Sequence, residues 1–413
     1  MPSPGGGASE MPKLTPEFSL AVACCRWPPS DARDSVIRDA AVAVTDWDCF
    51  VRLIRRQRVD GLVHAALLSA GIELPAPAAR ELSLHAQKNS LRSVLLEAES
   101  VRLQHALAAS DIPSMILKGA AVAQLAYGKQ DLKQARDIDI LVAPAHAQAS
   151  LRLLEGLGYE RVSPAGPLNE MQHRVLFNYG KELELAHSIN RLTVELQWRL
   201  SANPLLLKNI DADSPAQDVL LADGSHLRTL ARDDNFAYLC VHGALHSWSR
   251  LKWLADLNAI IAGVDDAGIV RLYRHAQAKG AGLCAGQALL LRHRLFDWPL
   301  PPALRAEFAA SARPEKLVAL ALTAMTAPRA PAGRDLSEVA RNVRTPFLLG
   351  RGWNFYWTQC RLVSFGIADV IRMPLPRGLH FLYPLLRIPL WLWRRGKRAR
   401  QTAIQTASKP SSG

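Results

Sequence analysis

Ala135-Arg136-Asp137-Ile138-Asp139-Ile140-Leu141-Val142, residues 135–142, decides how this chain is read. Ile138, Ile140 and Val142 favour extended backbone, and Pro144 closes the run. Residues two apart on a strand point to the same side, about 6–7 Å apart along the chain. Asp137 and Asp139 therefore project together, while Ile138 and Ile140 project to the opposite side. Two carboxylates on one strand face suit hard divalent cations. Phosphoryl-transfer sites use such cations to clamp the attacking and leaving oxygens. Asp-x-Asp alone also describes the solvated edge of many strands, so its surroundings decide.

Upstream, Met115-Ile116-Leu117 runs apolar into Lys118-Gly119, and residues 120–127 have helix-forming composition. A strand–Gly–helix turn turns backbone N–H groups and the positive end of a helix toward an anion. Gly119 allows close approach and unusual backbone angles. Lys118 supplies a point charge for a phosphate oxygen. A phosphate-binding turn followed by a metal-binding strand outlines a nucleotide site.

These residues resemble the nucleotidyltransferase superfamily that includes DNA polymerase β. More closely they resemble its bacterial, largely uncharacterised branch, in which Lys-Gly replaces Gly-Ser. Leu157-Gly158-Tyr159, Val194-Glu195-Leu196-Gln197-Trp198 as a third-carboxylate strand, and His242 through Asp256 as a helical signature fit the same pattern. The resemblance covers about residues 90–260. It implies an α+β fold: a mixed β-sheet core with helices on one side, flanked by N- and C-terminal helical regions. It also implies Mg²⁺-dependent transfer (Mn²⁺ as an alternative) of a nucleoside monophosphate from an NTP to an acceptor hydroxyl. Asp137, Asp139 and Glu195 would hold the metal and carry catalysis. Lys118, Gly119, Arg136, Arg250 and Lys252 would bind the nucleotide. Gln197 stands where the resembled family often has His, so any acid–base or ligand role of that His is lost. Glu182 and Glu184 share another strand face and compete with Glu195. A sugar, peptide, protein or RNA acceptor would leave the sequence unchanged.

The 413 residues suffice for two or three domains, and 49% hydrophobic against 21% charged residues describes a globular protein. The expected organisation is a disordered stretch over 1–16, a helical region over 17–110, the nucleotidyltransferase-like core over 111–205, a second helical region over 206–345, and an apolar and basic arm over 346–413. Within 17–110, Arg52, Arg55, Arg56 and Arg58 form a basic cluster, usually a solvated helix face. A long helix is predicted over 82–109, with Leu91, Val94, Leu95, Ala98 and Val101 as its buried stripe. In the core, a helix from Pro144 to Glu155 and extended segments at Tyr159, 173–179, 182–187 and 192–198 are predicted. Asp233-Asp234-Asn235 offers an N-cap for a helix through Val241. His242 and His246 share a helix face, but no third ligand accompanies them, so zinc is not expected. Trp253 reads as core, and Ala327 to Arg334 as a loop.

Six scattered cysteines without a CxxC pair fit a reducing cytoplasm, and no signal peptide is evident. After Asp369 there is no acidic residue but nine basic ones, out of a net charge of +13. The high pI is thus a property of the tail rather than of a nucleic-acid-binding core. Phe381 to Trp393 is apolar and aromatic but too short and too interrupted by proline to cross a bilayer. Residues 370–400 offer peripheral contact with anionic lipid at the inner membrane face. Two other readings stay open: a catalytically degenerate nucleotide-binding or interaction module, and a membrane-surface adaptor acting through the tail.

Overall fold

The computed structural model describes residues 14–163, 166, 168–327 and 336–364, with scattered positions between 369 and 389. The expectations for residues 1–13, for most of the loop at 327–334 and for the basic tail lie outside the described residues. Five helices come first: α1 (Pro16–Cys24), α2 (Asp31–Val42), α3 (Trp47–Gln57), α4 (Asp60–Ser69) and α5 (Ala76–Ala108). The central unit follows as β1 (Ser114–Ile116), α6 (Gly119–Tyr127), β2 (Asp137–Val142), α7 (Ala147–Gly156), β3 (Tyr159–Ser163), α8 (Glu170–Tyr179), β4 (Glu182–His187) and β5 (Thr193–Gln197). A hairpin of β6 (Ala216–Leu220) and β7 (His226–Leu230) leads to α9 (Arg232–Leu245) and α10 (Leu251–Ile260). The remaining helices are α11 (Asp266–Ala278), α12 (Gly282–Phe296), α13 (Pro302–Ala309), α14 (Ala312–Thr326), α15 (Leu336–Leu348) and α16 (Trp353–Ser364).

The five-stranded sheet has the order β1-β2-β5-β4-β3 and is mixed, with β2 and β5 parallel and the other neighbours antiparallel. Alternation sorts β2 as its sequence requires. Ile138, Ile140 and Val142 join Val194 and Leu196 in one apolar cluster with α5 and α7. The other face carries Asp137, Asp139 and Leu141 toward α6 and the C-terminal helices. There, α1–α4 and α9–α14 share a single second core. The sheet therefore stands between two cores, and the N- and C-terminal helices meet beyond its acidic face.

Four expectations are corrected. Residues 173–179 lie in helix α8, not in a strand: Asn169 and Gln172 form a reciprocal capping box that starts it. Helix α5 exists, but of its predicted stripe only Val101 packs on the core, while the rest faces outward. Leu91, Val94 and Leu95 are 57–69% exposed, while Leu82, Asn89, Ser93, Leu96, Ser100, Leu103 and Leu107 are buried. The inward face carries small polar residues because they bond backbone there: Ser93 Oγ donates to the Lys133 carbonyl at 3.2 Å and Ser100 Oγ to that of Leu96 at 2.6 Å. The β6–β7 hairpin interrupts the stretch read as helical after residue 206. In addition, α9 begins at Arg232, so Asp233 and Asp234 sit in its first turn, where carboxylates favour the helix dipole.

Candidate active site

The acidic face is built by register. Asp139 pairs with Glu195 across the parallel β2–β5 ladder, and Asp137 pairs with Thr193. Asp139 is 1% exposed in its side chain, and its Oδ1 lies 2.7 Å from Lys118 Nζ. Gln197 Nε2 donates to the same oxygen at 2.9 Å and reaches Glu195 Oε2 at 3.4 Å. Asp139 Oδ2 is buried with no hydrogen-bond partner. Burial and the charge of Asp139 push the Glu195 carboxyl up to about 8, although Lys118 pulls it down. Burial works against the charge of Lys118, yet Asp139, Tyr238 and Glu195 together hold its ammonium well above the usual range.

Lys118 and Gly119 form the turn between β1 and α6. The strand pairing continues through Leu117, whose N–H donates to the Asp139 carbonyl at 3.0 Å. Gly119 opens α6 at φ +56°, in the left-handed region that glycine adopts without penalty. The Lys-Gly turn thus delivers Lys118 onto Asp139 and points the start of α6 toward the same cleft.

A basic wall lines the same cleft. The cleft, about 470 Å³, is lined there by Arg58, Lys133, Arg250 and Lys252. Asp256 holds Lys133 in an ion pair and accepts from Tyr127 Oη at 2.9 Å. Lys252 Nζ donates to the Gln134 carbonyl at 3.3 Å. Burial, then the neighbouring Lys133, lowers Lys252 to about 7. His246 and Trp253 stack with centroids 5.0 Å apart, and His242 meets both rings edge-on at 4.7 and 5.6 Å. Burial and Lys118 lower His246 to about 4, so this cluster is a neutral aromatic ledge at neutral pH.

Seven of the eight residues expected at the site line this one cleft: Lys118, Gly119, Asp137, Asp139, Glu195, Arg250 and Lys252. Arg136 is the exception. It is exposed, and its carbonyl accepts from Arg92 Nη2 at 2.7 Å. Strand alternation explains this, since Arg136 shares the side of Ile138 rather than that of Asp137. Glu182 reaches the rim in an ion pair with Lys181, and Glu184 is exposed. Lys133 and Tyr238 line the cleft without any local signal in the sequence, and Ser249 lines it from within the 242–256 stretch.

As they stand, no three His, Cys, Asp or Glu side chains among the described residues converge as a ready metal cage. The donor set still fits a small hard cation. Mg²⁺ keeps several waters and takes one or two protein carboxylates together with substrate phosphates, rather than a full cage. The unpartnered, buried Asp139 Oδ2 is the oxygen such an ion would satisfy.

A family model described as "Uncharacterised nucleotidyltransferase" matches residues 43–297, well over half of the chain. The chain belongs to this nucleotidyltransferase family, and the matched span contains the carboxylates, the Lys-Gly turn and the basic wall. Membership supports transferase chemistry, in a family that implies an NTP substrate and generally works with divalent cations. No curated protein matches the chain. No helix among the described residues is long and apolar enough to cross a membrane.

Proposed function

We propose that the chain transfers a nucleoside monophosphate from an NTP to an acceptor hydroxyl with Mg²⁺, or Mn²⁺ in its place. The observation that carries this reading is the pairing of Asp139 with Glu195 across β2–β5, with a wall of cations lining the same cleft. Asp137, Asp139 and Glu195 would hold the cation, which when bound neutralises charge on the reacting phosphate oxygens. Lys118 exchanges Asp139 for a phosphate oxygen, and the start of α6 at Gly119 turns N–H groups to the same anion. Arg250 and Lys252 hold the tail of the triphosphate from the basic wall. The acceptor oxygen bonds the α-phosphorus as the bond to pyrophosphate breaks, and the acceptor's proton passes to Glu195, which a bound cation would keep ionised against the burial that raises its pKa.

The acceptor is a hydroxyl on a sugar, peptide, protein or RNA. A second reading, nucleotide binding without transfer, is favoured by Lys118 and Gln197 both donating to Asp139. The contact of residues 370–400 with anionic lipid at the inner face of the membrane is a separate proposal, carried by the charge of the tail.

Calorimetry with each NTP and Mg²⁺ tests the site. The expected result is micromolar, Mg²⁺-dependent binding that Asp137→Asn/Asp139→Asn abolishes. Absence of binding by the folded wild type overturns the enzyme reading. Binding without pyrophosphate release across an acceptor screen selects the second one.

A further inference from the structure

The four arginines at the end of α3 are one cluster in the sequence and four different residues in the structure. Arg52 lies on the surface, 4.0 Å from Asp46. Arg55 Nη1 meets Glu81 Oε1 at 2.8 Å. Arg56 Nη1 and Nη2 donate to the carbonyls of Ala327 and Met325 at 2.7 and 3.2 Å. Arg58 alone of the four lines the cleft.

Two further observations set Arg58 apart. Its Nε is buried with no hydrogen-bond partner, a donor left unmade at a cost that a native site seldom accepts without use. Its backbone ends α3 in the left-handed conformation, φ +57° and ψ +47°, where glycine or asparagine would fit without strain. A side chain kept at a strained position, lining a cleft and with one buried donor unpartnered, marks a group held for a ligand.

The neighbouring contacts say which ligand. Gln57 is fully buried and accepts from the Leu251 N–H at 2.7 Å, clamping the residue before Arg58 to the residue between Arg250 and Lys252. Gly61 packs so tightly against the Asp131 carbonyl that a Cβ there would lie 2.3 Å from it, which presses the turn after Arg58 onto the loop carrying Lys133. Arg58 thus joins Lys133, Arg250 and Lys252, and no carboxylate among the described residues is ion-paired with it. A planar guanidinium with free donors among other cations is matched to the oxygens of a phosphate.

We infer that Arg58, contributed by the N-terminal helices, is a phosphate-binding residue of this cleft and grips the polyphosphate tail of the nucleotide. The assignment of that phosphate to an NTP rests on the proposed function; the phosphate recognition does not. Inorganic tripolyphosphate separates the two.

The test is calorimetry of wild type, Arg58→Ala, Arg58→Gly, Arg58→Lys and Arg52→Ala, against tripolyphosphate, each NTP with Mg²⁺, and each nucleoside monophosphate. Loss of one charge-assisted contact corresponds to about ten- to hundredfold weaker binding. Arg58→Ala and Arg58→Gly are expected to lose that much for tripolyphosphate and NTP, while monophosphate binding stays constant. Arg58→Lys keeps an intermediate affinity, and Arg52→Ala matches wild type. Arg58→Gly also relieves the left-handed backbone, so it is expected to melt at or above the wild-type temperature while binding phosphate worse. A merely structural arginine would not separate those two readouts. Tripolyphosphate binding that is absent in wild type, or equal in wild type and Arg58→Gly, overturns the inference. Arg58-dependent tripolyphosphate binding with no NTP binding leaves the phosphate site standing and removes the nucleotide reading.

Discussion

Glu195 shows how a single side chain links the chemistry of the cleft to the stability of the fold. Its carboxyl, raised from 4.5 to about 8 by burial and then by Asp139, keeps a proton in the folded state that the unfolded chain has already released. Where the folded state binds more protons, stability falls as pH rises. Without a divalent cation, the wild type therefore loses stability between about pH 4.5 and about pH 8 on account of this group. Gln cannot titrate, so Glu195→Gln should gain on wild type through that window and hold a constant advantage above it. Melting temperatures in chelator from pH 4 to pH 9 check this. A difference between the two proteins that does not change with pH would show that Glu195 is not raised. Saturating Mg²⁺ should shrink the advantage, because only the wild type offers the cation a third carboxylate.

At the scale of elements, the clamp between α3 and α10 is the part most open to a direct test. Gln57 accepts from the Leu251 N–H and donates to the Met325 carbonyl at 2.8 Å. Gln57→Ala leaves the Leu251 N–H buried and unpaired and the Met325 carbonyl with Arg56 alone, at a cost of about 1–3 kcal/mol. The expected outcome is a lower midpoint in urea unfolding at an unchanged slope, together with weaker NTP binding as the two halves of the basic wall separate. Unchanged stability would mean that the clamp carries no energy. The elements also differ in how far their residues announced them. The strand of Asp137 and Asp139 was readable because β-branched residues alternate with acids, and β4 because it alternates likewise. Residues 173–179 misled because Val175, Phe177 and Tyr179 also alternate, whereas the Asn169–Gln172 cap that decides for helix lies just before them. The β6–β7 turn carried an Asp223-Gly224 signal of its own. Helix α5 has apolar residues on two faces, and which one turns inward is fixed by the sheet and by the Lys133 loop. Local pattern carries no information about either.

For the whole molecule, the same division holds. The carboxylates and the Lys-Gly turn lie within one contiguous unit and could be found by reading along the chain. The basic wall is assembled from α3, the loop before β2 and α10, so Arg58 and Lys133 became site residues only in three dimensions. Charge is also distributed on this scale, with nine of the net +13 after Asp369. If the tail contacts anionic lipid, vesicles of mixed neutral and anionic phospholipid should sediment the full chain at low salt, and removing residues 370–413 should abolish this. Equal sedimentation of the shortened chain would refute the lipid role of the tail. Screening by salt should weaken the binding in either case.

The bond between Gln57 and Leu251 joins residues 194 apart in sequence. A ribosome making this chain releases Arg58 early, the three carboxylates midway, and Arg250 and Lys252 later still. A nascent chain that has emerged only through β5 holds the acids with Arg58 and Lys133, but without Arg250 and Lys252. On the proposed assignment, competence arrives in one late step, when α10 clears the exit tunnel and closes on α3. Unfinished chains and products cut before residue 250 would then be silent, rather than weakly active.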